Sequence, residues 1–134
     1  MRISAGHYEQ LKTSGFAIVP GFLSARELKA VGCDFLNLTS GQLDPRQQIP
    51  LAPGYNVRFA EQVKRDVGVA VMAVGMITQA RQAQDIIASG RADLVAIARA
   101  MMDDPRWAWH AARELGEQTA YAPNYQRCHP SVWK

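Results

Sequence analysis

Cysteine is scarce: Cys33 and Cys128 are the only two in the sequence, too few for a disulfide framework and at no C-x-x-C distance that would mark a metal or redox pair. No arginine-rich or apolar leader precedes the first ordered segment, so a reducing, cytoplasmic location is the expectation. Long apolar runs are missing as well. No stretch approaches the roughly 20 apolar residues of a membrane-spanning helix, which excludes a membrane partner. Nor is charge of one sign in large excess: Lys and Arg number 15 against 12 Asp and Glu, a net +3. The basic residues are interleaved with acids, which permits an anionic ligand but marks no nucleic-acid surface. His7, His110 and His129 share no metal-ligand spacing, and neither a nucleophile elbow nor a Walker-type loop occurs. No metal site and no catalytic acid, base or nucleophile can be assigned from these patterns.

What is present reads as a globular chain, 48% hydrophobic and 20% charged, of one domain. Three segments repeat one grammar of helix, glycine, short turn and apolar strand. In the first, Ser24 followed by Glu27 makes a capping box for a helix through Lys29 to Val31, which Gly32 stops. Asp34 then leads into a strand over Phe35–Leu38, with Thr39, Ser40 and Gly41 leaving its carboxyl end. The second unit follows "PLAPGY". Asn56 caps a helix that buries Val57, Ala60, Val63 and Val67, Gly68 ends it, and a fully buried strand over 69–74 terminates at Gly75. In the third, a helix starting from Thr78 buries Ala80, Ala83, Ile86 and Ile87 and stops at Gly90, before a strand over 94–97. Asp104 and Pro105 start a last helix carrying Trp107, Ala108, Ala111, Ala112 and Leu115. "MRISAG" reads as the end of a further strand, and the tail from Tyr121 as an arm without a regular element.

Strands alternating with helices at this spacing predict an α/β fold with parallel pairing. In such folds the carboxyl ends of the strands form the ligand-facing rim. Gly75 stands there, where a bare backbone can approach an anion, and Arg99 stands at the matching point one strand later. Together they make a candidate phosphate site. The competing reading has Gly75 only turning the chain and Arg99 paired with Asp103 or Asp104. Arg2 projects to the same rim, as a partner for negative charge on a ring system or as a surface ion-pair partner. Ser40 and Gly41 are candidate donors or an ordinary loop pair, and Cys33 is a packed thiol.

These residues resemble the C-terminal half of the Old Yellow Enzyme family of FMN-dependent NAD(P)H oxidoreductases and ene-reductases, in particular its thermophilic-like bacterial branch. The resemblance runs from about Ala25 to Arg127 through "ARELKAVGCDFLNLTSG", "PGYNVRFAEQVKRD", "AVGMITQARQAQDIIASGRADLVAIARAMMDDPRWAWHAARELG" and "PNYQR". It implies about units five to eight of a (β/α)8 TIM barrel, with 134 residues against the about 250 of a closed barrel. It also implies FMN as cofactor, NAD(P)H as reductant and an activated alkene as substrate. By the same resemblance Arg2 matches an arginine beside the flavin pyrimidine, and Gly75 a glycine that contacts the FMN phosphate. Ala98 and Arg99 match a Gly-Arg pair, with alanine narrowing the approach while leaving its amide available.

The family's first four strands, with its substrate-holding histidines and proton-donor tyrosine, have no counterpart. "HYEQLKTSGFAIVPGFLS" resembles instead the opening of phytanoyl-CoA-dioxygenase-like proteins, without their iron ligands. The expected organisation is an atypical segment 1–24, a partial barrel 25–120 with the FMN phosphate site, and an arm 121–134. A spliced, recombined or truncated gene product is the corresponding expectation. The expected function is that of an FMN-binding fragment of an ene-reductase, incomplete as a single chain. Homo-oligomer formation is expected through exposed sheet edges or the arm, where Arg127 or Trp133 reaches a neighbour's active site. The alternative is a non-catalytic half-barrel remnant or interaction module without flavin.

Overall fold

A computed structural model describes residues 5, 6, 9, 24–40, 48, 49 and 51–133. Helix α1 (Ala25–Ala30) starts at the capping box predicted for it. Ser24 Oγ accepts the Glu27 amide N–H at 3.2 Å, and the Glu27 carboxylate accepts from the Ser24 N–H at 2.7 Å and from its hydroxyl at 2.6 Å. Those bonds, the side-chain one foremost, hold the Glu27 carboxyl below its ordinary pKa. Gly32, at φ 77°, turns the chain out of the helix and toward strand β1 (Phe35–Leu38).

Helix α2 (Val57–Val67) buries Val57 and Ala60 and ends where Gly68, left-handed at φ 69°, donates its N–H to the Lys64 carbonyl. Asn56 stands at its N-terminus but makes no capping bond. Strand β2 (Ala70–Ala73) follows, then helix α3 (Ala80–Ala88). That helix begins at Ala80, with Gln79 at its N-cap, rather than at Thr78; the Gln82 carboxamide accepts the Thr78 N–H in the preceding loop. It buries Ala80, Ala83 and Ile86, but Ile87, expected inside, is 39% exposed on the helix's outer side.

Strand β3 is only Leu94–Val95; of the longer run expected, Ala96 adds a single bond, N–H to Ala73 O at 2.8 Å. The three strands are parallel in the order β1-β2-β3. Asp93 joins their amino ends to α2. Its carboxylate accepts Lys64 Nζ at 2.9 Å and the Val71 N–H at 3.0 Å, and its own N–H bonds the Val71 carbonyl at 2.9 Å. The Lys64 bond first, then the Val71 bond, hold Asp93 below the ordinary carboxylate pKa.

Val57, Ala60, Val71, Ala73, Ile77, Ala83, Ile86 and Ala92 form the core between sheet and helices. Burying a side chain the size of Ile86 contributes about 1.5–3 kcal/mol. Among the described residues, no helix covers the other face of the sheet. Phe35 is 45% and Leu94 43% exposed, and they share that face with Asn37, Ala70 and Met72, as the register requires. Continuous apolar strands predict burial on both sides; among the described residues only one side is covered, so the strand over 69–74 is not fully buried.

Beyond β3, Arg99 opens the short helix α4 (Arg99–Asp103). Helix α5 (Trp107–Glu114) starts two residues later than Pro105 predicts. Asp104 explains the shift: its carbonyl accepts the Trp107 N–H and its carboxylate the Arg106 N–H, so Pro105 and Arg106 form a turn outside the helix. Ala111 is buried on α5, whereas Ala108, expected inside, is exposed. The tail is more regular than expected, with 3-10 turns at Pro123–Cys128 and Pro130–Val132. Tyr121 stacks on Trp109 at 4.0 Å between ring centroids, with Tyr125 edge-on at 5.6 Å. Ala5 and Gly6 are helical, so the strand expected over "MRISAG" does not include them.

Candidate functional site

Register decides what meets at the rim. Leu38 pairs with Ala73, and Ala73 with Val95. Ser40, Gly75 and Ile97 each follow that line by two residues, with Ala98 and Arg99 just beyond. The candidate residues Gly75, Ala98 and Arg99 thus share the carboxyl edge of adjacent strands. Arg2, Gly41 and His7 lie outside the described residues.

Gly75 is buried in a loop pinned from three sides. Its carbonyl accepts the Gly54 N–H at 2.7 Å, Gln82 Nε2 donates to Met76 O at 3.3 Å, and Trp107 Nε1 donates to Thr78 O at 2.9 Å. Gly75 has φ 120°, and Met76, a non-glycine residue, has φ 48°. Consecutive positive φ values are costly for side-chain-bearing residues and persist where the surroundings enforce them. A β-carbon at Gly75 would lie 3.0 Å from the Tyr55 ring and 3.1 Å from the Asn56 nitrogen. Crowding by Tyr55 and Asn56 accounts for the glycine without an anion.

Arg99 is exposed, and no ion pair among the described residues involves it. It pairs with neither Asp103 nor Asp104, and Asp104 is engaged elsewhere. The Asp104 carboxylate takes His110 Nδ1 at 2.5 Å and the Arg106 N–H at 3.0 Å. Burial pushes the Asp104 carboxyl up, and these bonds together outweigh it to leave the pKa lowered. Since α4 has only five residues, the guanidinium rather than a helix dipole supplies the positive charge. An unpaired guanidinium beside a pinned loop fits a phosphoryl group, which it can bond in bidentate fashion.

Asn56 carries a role that spacing did not reveal. It is completely buried, and its Oδ1 accepts the Ser40 hydroxyl at 2.6 Å. Its Nδ2 has no partner among the described residues, a deficit of about 1–3 kcal/mol for a buried amide. Ser40 and Asn56 are sixteen positions apart, so no local pattern pairs them; "PGYN" was legible only as a helix start.

The remaining candidates form no second centre. Both cysteines are free thiols; Cys33 is half-buried, with Sγ donating to Phe35 O, and Cys128 is exposed. No group of metal-binding side chains occurs among the described residues, and none of their helices is long and apolar enough to cross a membrane. An open groove of about 420 Å³ beside the start of α2, lined by Tyr55, Arg58, Phe59 and Arg91 among others, includes neither Gly75 nor Arg99.

Comparison with known proteins gives the family of this chain. An NADPH dehydrogenase of Geobacillus sp. (strain WCH70) is 38% identical over 127 residues, covering 95% of this chain but 36% of the relative. The NADPH dehydrogenase of Geobacillus thermodenitrificans is 35% identical over the same shares, and that of Listeria monocytogenes serovar 1/2a is 33% identical over the whole chain and 37% of its own length. The chain therefore spans little more than a third of the curated relatives it matches. A sequence model covers residues 2–118, including the segment that resembles a dioxygenase opening, and by that match the chain belongs to the NADH:flavin oxidoreductase / NADH oxidase family.

Proposed function

We propose that this chain is the phosphate-binding part of an FMN-dependent oxidoreductase and that Arg99 and the backbone at Gly75 and Ala98 hold the FMN phosphate. The observation that carries the reading is Arg99, exposed and with no ion pair among the described residues, at the same sheet edge as Gly75. FMN and NAD(P)H are the cofactors that membership of the family implies. When bound, the flavin supplies hydride transfer; the chain's own residues bind and orient it. Arg2 is assigned to the flavin pyrimidine and an activated alkene to the role of acceptor.

The chain is read as about the fifth to eighth units of a (β/α)8 barrel, with the three strands among them. Their bare apolar face, with Phe35 and Leu94 exposed, supports that reading, since it matches the inward face of a barrel whose other strands are absent. The exposed sheet edges, together with Arg127 and Trp133 on the tail, are the surfaces assigned to another copy. A half-barrel without flavin is the competing reading, favoured by the same bare face.

Titration of the purified chain with FMN, followed by the visible spectrum after desalting, separates the two. Retained flavin is expected. Arg99→Ala should weaken binding by tenfold or more, the worth of one charge-assisted pair, and Arg113→Ala should not. Colourless protein after desalting supports the remnant, and equal loss in both variants moves the phosphate elsewhere.

A further inference from the structure

Ser40 and Asn56 form a polar pair at the rim that phosphate binding does not use. The Ser40 hydroxyl gives its single proton to Asn56 Oδ1 at 2.6 Å. A hydroxyl has one hydrogen and two lone pairs, so Ser40 Oγ is left able only to accept from any further group. Asn56 is fully buried with Nδ2 unpaired. A buried amide satisfied on one side contributes little to stability, and an apolar side chain of the same shape would serve the core as well. What the asparagine does, and leucine could not, is hold the serine proton.

Position adds the second half of the argument. β1 and β3 flank β2, so about 10 Å separates their carboxyl ends at the usual strand spacing. A chain running from a phosphoryl group at Arg99 across the end of β2 reaches Ser40.

We propose that Asn56 is a positioning residue that turns Ser40 Oγ into an acceptor for a hydroxyl of the polyol side chain of bound FMN. The proposal rests on the flavin reading above and extends it along the cofactor. A phosphate dianion has no proton to give and is disfavoured at Ser40, whereas a ribityl hydroxyl donates there. The rim then sorts the two ends of the side chain, phosphate to β3 and hydroxyls to β1.

The test compares FMN with a flavin phosphate whose side chain is a hydroxyl-free alkyl of equal length, each titrated by flavin fluorescence into the parent chain, Ser40→Ala and Asn56→Leu. Both variants should bind FMN about fivefold more weakly, the size of one neutral hydrogen bond. Neither should change affinity for the hydroxyl-free analogue, and ligand-free Asn56→Leu should melt no lower than the parent. A purely structural role would lower that melting temperature and weaken both flavins alike. FMN affinity equal in parent and variants overturns the proposal while leaving the phosphate site standing. A parent chain that binds neither flavin overturns the flavin reading and this proposal with it. Should Asn56→Leu fail to fold, Ser40→Ala decides alone, because its half-exposed side chain lies at the rim rather than in the core.

Discussion

A methyl group on Gly75 would press on the Tyr55 ring and the Asn56 amide, on a backbone already at φ 120°. Two independent requirements therefore fall on one residue, a conformation that side chains disfavour and a space that Tyr55 has filled. Gly75→Ala should destabilise the protein by about 2 kcal/mol, the size of one enforced backbone outlier, read as a lower urea midpoint at unchanged slope. A midpoint within error of the parent would mean that the loop yields freely, despite its bonds to Gly54, Gln82 and Trp107. The residue was visible in the sequence as a strand-ending glycine, but the reason for it was not. Tyr55 and Asn56 lie some twenty positions away, and only folding brings them against it.

Between elements, Asp93 ties α2, β2 and the start of β3 into one unit. It bonds a lysine on the helix and a backbone amide on the neighbouring strand. Asp93→Asn should cost about 1 kcal/mol at neutral pH, after allowance for solvent around a pair that is partly exposed. The sign with pH follows from the lowered pKa. The folded protein holds the charged carboxylate more firmly than the unfolded chain, so the contribution is complete above the ordinary carboxylate pKa of about 3.9. It is lost as pH falls through the folded value. Urea midpoints of parent and Asp93→Asn should differ by a constant amount above about pH 5 and converge in acid; a gap that stays constant to pH 2 would remove Asp93's ionisation from the account.

Across the molecule, a parallel sheet covered by helices on one side leaves Phe35 and Leu94 exposed on the other. A ligand that binds only the folded state at the rim adds stability by mass action. FMN at a hundred times its dissociation constant should contribute about 2.7 kcal/mol and raise the melting temperature by roughly 10 °C for a chain of this size. Riboflavin, which lacks the phosphate, should raise it far less, and Arg99→Ala should remove most of the difference. A calorimetric scan in which FMN and riboflavin act alike would detach Arg99 from the phosphate.

Local chemistry was enough to read the capping box at Ser24, the left-handed stop at Gly68 and the alternation that makes this an α/β chain, because each depends on neighbours within one or two turns of chain. The same pattern placed Gly75 and Arg99 at the ends of successive strands. Only the tertiary structure decided that those ends lie along one edge of the sheet, that Asp104 is engaged by His110 while Arg99 has no ion pair among the described residues, and that Asn56 serves Ser40 instead of its own helix. Those outcomes turn on strand register and on contacts between distant residues, and a short-range code carries neither.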